Sequence, residues 1–228
     1  MTSEDTAPQQ RGSTTATRAV VVTVAVVAVL LLGAAVGLLI QLPGSDSAGA
    51  PGRDSVDIGF TQDMAVHHLQ GITMANTARD KTANPAIRQL AFDIESTQLE
   101  QVGRMKGWLS LWGAPEQSSD GTHMKWMESS SHDHTGSSSA GQTGLMPGMA
   151  TSEELARLRS LSGTEFDVYF LQLMLRHHQG GAPMAQYAAT HAGVPVVRTL
   201  ADNMLKSQSS ESEYMKQLIA ERGAAPLP

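Results

Sequence analysis

Two hydrophobic patterns divide the chain. Ala19 to Ile40 is an unbroken run of 22 residues without a charge, long enough at about 1.5 Å per residue to cross a hydrocarbon core of about 30 Å. From Asp57 onward the apolar and special positions are spaced instead, at 57, 60, 64, 67/68, 71, 74/75 and 78. That spacing predicts a helix over 57–79 with one face turned to a core. Asn84-Pro85 supplies a cap and a first-turn proline for a second helix to about Trp112, with Ile87, Leu90, Ala91, Ile94, Val102, Met105, Trp108 and Leu109 on one side. Thr151-Ser152-Glu153-Glu154 reads as a capping box opening a short helix to about Ser160. Two further helices are predicted, from about Thr164 to Thr190 and from Pro195 to about Arg222.

The second pair of helices repeats the first. Residues 57–115 and 167–225 align without a gap at a constant offset of 110. Both copies keep D-x2-F-x3-M-x2-H-H-x2-G-x2-M, and they also share Pro85/Pro195, Leu90/Leu200, Gln98/Gln208, Met105/Met215 and Gly113/Gly223. Neither hairpin can bury its apolar face alone. The predicted fold is therefore all-α, a four-helix bundle of two duplicated hairpins, preceded by a transmembrane helix. The organisation expected is a polar tail (1–18), the span or signal anchor (19–40), a Gly/Ser/Pro tether (41–56) and the bundle (57–228). Within the bundle lie repeat 1 (57–115), a His/Met-rich linker (116–150), a short helix and turn (151–163) and repeat 2 (164–226).

Charge placement orients the span. Arg11 and Arg18 precede it and no basic residue follows until Arg53, so the positive-inside rule puts the N-terminus in the cytoplasm and the bundle outside. Ala48-Gly49-Ala50 resembles a signal-peptidase site. However, it lies far from the end of an unusually long hydrophobic stretch and is followed by Pro51, so a single-pass anchor is favoured over secretion after cleavage. Beyond the span, 14 basic residues face 20 acidic ones, a balance that argues against a nucleic-acid partner.

Composition narrows the chemistry. The chain has no cysteine and twelve methionines against four phenylalanines. Disulfides, thiolate zinc sites and thiol nucleophiles are excluded, and any soft-metal chemistry must use thioether and imidazole. On a helical wheel Asp57, Met64 and His68 fall within about 40° of one another, and His67 and Met74 lie about 20° apart on the adjacent edge. Met64 and His68 form an i,i+4 pair able to reach one ion. The second copy offers Asp167, Met174, His177, His178 and Met184 in the same geometry. Each helix could hold its own ion, or the two could face each other and share one. Thioether prefers Cu(I) and imidazole also suits Cu(II), so the set points to copper, with zinc a less favoured occupant that would leave the methionines idle. The Glu-rich E-x-x-H pairs of a di-iron bundle are missing from the chain.

Around these ligands, Gln98, Gln101, Gln208 and Glu211 fall near the inner faces of the opposing helices and are candidates to orient the imidazoles. Gly71 and Gly181 cost helix propensity and suggest close helix approach beside the His pairs. Gly180-Gly181-Ala182-Pro183 should kink the third long helix, so that the two sites differ. In the linker, His123, Met124, Met127, His132 and His134 are candidate additional ligands on a mobile metal-collecting segment, the plain alternative being a polar connection. Asp57 and Asp167 have a purely structural alternative as partners of helix N-termini.

Residues Met64–Ala75 and Met174–Ala185, the Gly107–Gly113 ending of the second helix, Met146-Pro147-Gly148-Met149 and the Gly223–Pro226 end resemble the bacterial family called domain of unknown function 305, over about residues 55–228. The resemblance implies a ferritin-like four-helix bundle and an extracytoplasmic copper binder linked to copper tolerance. It places copper ligands among Met64, His67, His68, Met74, Met174, His177, His178 and Met184. Many members are lipoproteins or secreted, whereas this chain has no cysteine to carry a lipid. The function expected is a membrane-anchored extracytoplasmic protein that buffers, sequesters or passes on copper, with a copper donor or acceptor protein as its partner. The rival is a bundle whose histidines are structural and whose surface binds another protein. An enzyme ranks last, because no catalytic constellation is identified.

Overall fold

Capping decides where each helix begins. The computed structural model describes residues 13–41, 50–130 and 144–227, which hold six α-helices: α1 (Ser13–Gln41), α2 (Val56–Lys81), α3 (Pro85–Leu111), α4 (Ser152–Ser160), α5 (Gly163–His191) and α6 (Pro195–Ala220). The Ser55 hydroxyl accepts from Ile58 N at the start of α2. Asn84 Oδ1 accepts from Ala86 N and Ile87 N ahead of Pro85 at the start of α3. Thr151 and Glu154 close the capping box of α4. These side chains satisfy amide donors that a first helical turn leaves free.

The chain divides into two compact units, Met1–Gly49 and Ala50–Pro228. The first contains α1, in which the described side chains, residues 18–34, are exposed. Among the described residues no helix is long and apolar enough to cross a membrane. In the second unit α2 packs on α3 and α5 on α6, and the hairpins meet through α2 and α5. Buried residues form two clusters. One gathers Met74, Ile87, Leu90 and Ile94 of the first hairpin with Phe166, Phe170, Met174, Met215 and Ile219 of the second. The other gathers Phe60, Met64, Val102 and Met105 with Met184, Val197, Leu200 and Met204. Met64 thus shares a cluster with Met184, and Met74 with Met174, so α2 and α5 run antiparallel with the two copies exchanged end for end.

Asp57 and Asp167 fix that arrangement from its two ends. Asp57, buried at the start of α2, accepts from Gly193 N (2.9 Å) and Val194 N (2.8 Å) in the α5–α6 turn. It thereby fixes the turn that leads into α6, whose N-cap Val194 makes no side-chain cap bond. Asp167 accepts from Thr82 Oγ1 (2.6 Å) in the α2–α3 turn, and Thr82 Oγ1 in turn accepts from Asn84 N. The sequence offered both carboxylates as metal ligands. The structure instead commits them to the turn of the opposite hairpin, about 15 Å along the helix from the histidines ten residues later.

The linker departs further from expectation. Where it is described it is not a free arm. A 3-10 turn at Lys125–Ser130 lays Trp126 against Gly59 of α2, where a Cβ would collide with the indole. Residues 144–150 lie across α5, with Pro147 against Gly180. Gln70 fastens this strap from α2 by bonding both Ala150 N and Ala150 O. α5 runs as one helix through Pro183, from Gly163 to His191.

Asp57→Ala should leave two backbone donors of the α5–α6 turn unsatisfied and lower stability by about 2 kcal/mol. Urea denaturation measures this, and a loss below about 0.5 kcal/mol would remove the clasp from the account of the fold.

Candidate metal centre

His67 and His68 are adjacent, so the 100° step of the helix sends them to different neighbours. His67 turns to α5 and meets His177, its own counterpart in the second copy, with 3.9 Å between ring centroids. His68 turns to α3, and His178 to α6. All four rings are buried. Two glycines make the approach of α2 to α5 feasible. A Cβ at Gly71 would collide with Gln98 Oε1 and stand 2.9 Å from His177 Cε1; one at Gly181 would stand 3.0 Å from His67 Cε1. Each glycine therefore makes room for the opposite copy's imidazole.

Hydrogen bonding fixes the tautomers. His67 Nε2 bonds Pro147 O at 3.0 Å, and His177 Nε2 bonds His67 O at 2.9 Å. His68 Nε2 bonds Gln101 Oε1 at 2.7 Å, and His178 Nε2 bonds Glu211 Oε2 at 2.6 Å. Carbonyl and carboxylate oxygens can only accept, so Nε2 carries the proton in neutral rings. The lone pair is left on Nδ1. All four Nδ1 atoms are buried and without a hydrogen-bond partner. Four orphaned acceptors in one core are unusual, since buried polar atoms are normally satisfied. An Nε2–H donated to a carbonyl or carboxylate, with the other ring nitrogen free, is the arrangement by which proteins orient a metal-binding histidine.

Burial is the main cause of the electrostatics. It pushes His67 down to about 4 and His68 to about 3 from the ordinary 6.5, and it holds His177 well below that value. The neighbouring imidazoles reinforce the shift, His67 acting on both His68 and His177. At neutral pH these three rings are therefore uncharged and available as donors.

The other predicted residues divide. Met64 and Met174 lie one turn before their His pairs, and Met74 and Met184 lie beyond them; all four are fully buried in the two clusters that border α2 and α5. Gln98 is buried beside Gly71 with both amide atoms unpaired, and Gln208 is buried beside Gly181. His123 is not brought to the His pairs. Its Nδ1 bonds Asp63 Oδ1 at 2.7 Å, while Asp63 Oδ2 accepts from Met124 N and Trp126 Nε1. Met124 is buried in the cluster that holds Met64, and Met127 packs against it. His132 and His134 lie outside the described residues. Two participants escaped the sequence reading. Asp63, a helical carboxylate, carries the 3-10 segment, and Pro147 O receives His67. A main-chain oxygen from 80 residues away leaves no mark in a periodicity.

Among the described residues no three His, Asp or Glu side chains are gathered to hold an ion. An ion at the imidazoles would have to draw on the thioethers as well, and imidazole with thioether is a donor set for a soft, low-coordinate ion. The residues present fit copper on that ground.

The model of the family described as a domain of unknown function, DUF305, matches residues 57–219. The chain belongs to the DUF305 family. A DUF305 crystal structure from Streptomyces coelicolor is 42% identical, with TM-score 0.68 over 78% of this chain and 99% of that one. A DUF305 fragment from Deinococcus radiodurans is 27% identical, with TM-score 0.60 over 75% and 99%. CopM in its Cu(II)-bound form is 28% identical, with TM-score 0.55 over 72% and 96%, and CopM has also been solved with Cu(I) and with silver. No curated protein matches.

His67, His68 and His177 give this DUF305 chain a pH signature. Because their folded values lie below 6.5, the unfolded chain takes up protons first as the pH falls. Their stabilisation is complete above about 6.5 and is lost on the way down to about 4, by about 1.4 kcal/mol per pH unit for each ring. Metal-free protein should therefore melt progressively lower between pH 7 and pH 5, where carboxylates stay ionised. A flat melting temperature over that range would contradict the neutral tautomers.

Proposed function

We propose that this DUF305 protein binds copper in the core between α2 and α5 and serves to buffer, sequester or hand on the ion. The observation that carries the reading is the set of four buried imidazoles, each with Nε2–H engaged and Nδ1 free. Met64, Met74, Met174 and Met184 are buried on the same two helices, within about two turns of the His pairs along the chain. When bound, copper would bring a soft cation able to cycle between two oxidation states. The four rings would hold copper through Nδ1, His68 on the α3 side and His178 on the α6 side, and the Nε2 partners would keep them from turning. The copper-bound forms of CopM, a protein 26–28% identical, support the same reading. The extracytoplasmic, membrane-anchored location is part of the proposal. It is supported by the 22 uncharged residues of Ala19–Ile40 and by the arginines that precede but do not follow them.

One observation favours a second role, that of a partner-binding module. Leu69, Phe92 and Leu99 are exposed, where the second copy carries Gln179, Asp202 and Ser209 at the equivalent positions.

Copper titration of the full chain separates the two, with bathocuproine disulfonate as competitor for Cu(I) and zinc and iron as controls. Copper-selective binding should weaken by at least about 100-fold in the His67→Gln/His177→Gln protein, the result expected when core ligands are lost. A circular-dichroism melt would confirm that this variant remains folded. Unchanged affinity in the double variant would move the site to His68/His178 or to the linker. Binding no tighter than that of scattered surface histidines would leave the partner-binding module.

A further inference from the structure

The duplication lets one half of the protein serve as the control for the other. At a constant offset of 110, His68 pairs with His178 and Gln101 with Glu211. The hydrogen bonds are equivalent, with Nε2 donating to Oε1 of Gln101 at 2.7 Å and to Oε2 of Glu211 at 2.6 Å. The flanking glycine, methionine and histidine are the same in both. The acceptor is not: one is a neutral amide and the other a carboxylate. Gln101 is buried, and the Glu211 side chain is only 20% exposed, so the carboxylate's field reaches His178 through protein more than through water.

The geometry points to Glu211 as the residue that sets the oxidation-state preference of the copper held on the His178 side, favouring Cu(II) there, while the Gln101 side stays the better Cu(I) site. This inference rests on the copper reading and extends it. A carboxylate that accepts from Nε2–H strengthens the donor power of the opposite ring nitrogen. Its negative charge attracts a doubly charged ion twice as strongly as a singly charged one at the same distance. Gln101 provides the same orientation without the charge. Among the described residues no other acidic or basic side chain is hydrogen-bonded to either ring: the acceptors on His67 and His177 are backbone oxygens, and Gln98 and Gln208 are neutral. Glu211 is thus a positioning residue whose charge distinguishes the acceptor of His178 from that of His68.

The test uses the full chain with Glu211→Gln and Gln101→Glu, each of which copies the other half of the protein and so keeps a side chain already accommodated in that setting. Cu(I) affinity is measured anaerobically against bathocuproine disulfonate, Cu(II) affinity by chelator competition with its EPR signal, and the reduction potential by redox titration. Glu211→Gln should weaken Cu(II) by at least about 10-fold and leave Cu(I) within about 3-fold. The potential would then rise by about 59 mV for each factor of ten. Gln101→Glu should move the potential the opposite way. Equal weakening of both oxidation states would overturn the inference and make Glu211 a mere ring support, as would an unmoved potential, and both would leave the copper reading standing. Failure of the unsubstituted protein to bind either form of copper would overturn both.

Discussion

The approach of α2 to α5 is the contact on which the rest of the molecule depends. The imidazoles of His67 and His177 come within 3.9 Å because each ring lies over a glycine of the opposite helix, Gly181 and Gly71, where a Cβ would crowd it. Glycine within a helix costs about 1 kcal/mol relative to alanine, and the chain carries that cost twice. What it gains is a polar centre inside a core that would otherwise be aliphatic. The cross-hairpin clasps of Asp57 and Asp167 hold the two ends of this crossing, and the methionine-bearing clusters fill the space on either side.

Burial then determines the chemistry of the rings. A charged imidazole in such a core would lack its hydration, so His67, His68 and His177 are held in the neutral form. Each ring still needs a partner for its remaining N–H. The fold provides one from a different source in every case: a strap carbonyl, a helix carbonyl, an amide and a carboxylate. What remains unsatisfied is always Nδ1. A core built for stability alone would not leave four acceptors bare, since each unpaired polar group costs of the order of 1–3 kcal/mol.

The duplication is close in the helices and broken in what lies over them. The segment between the copies closes over one side, with Trp126 lying on Gly59, Asp63 carrying His123, and Pro147 resting on Gly180 while its carbonyl receives His67. Among the described residues the second copy has no counterpart for this cover, and His67 and His177 differ in their partners although their helices match. Divergence between the halves arises in two ways, from the strap and from the Gln101/Glu211 exchange.

Helix number, helix ends and the burial of both His pairs followed from the sequence. Periodicity, Asn84-Pro85 and the Thr151–Glu154 box are local signals acting within a turn or two of chain, and the repeat at offset 110 identifies positions used alike in both halves. The wheel separated His67 from His68, and the glycines marked the close approach. The roles of Asp57, Asp167 and His123 were not legible in the same way. A carboxylate on a helix face looks the same whether it awaits an ion or the turn of another hairpin, and the choice depends on which turn the tertiary fold sets against it. Likewise the pairing of His67 with His177, the strap over α5 and the orphaned Nδ1 atoms come from contacts between residues about 80 to 110 positions apart. The sequence by itself determined the helices and the side chains they offer, because those are governed by neighbours along the chain. Which of those side chains meet was decided by tertiary packing alone, because packing brings together groups that have no local interaction.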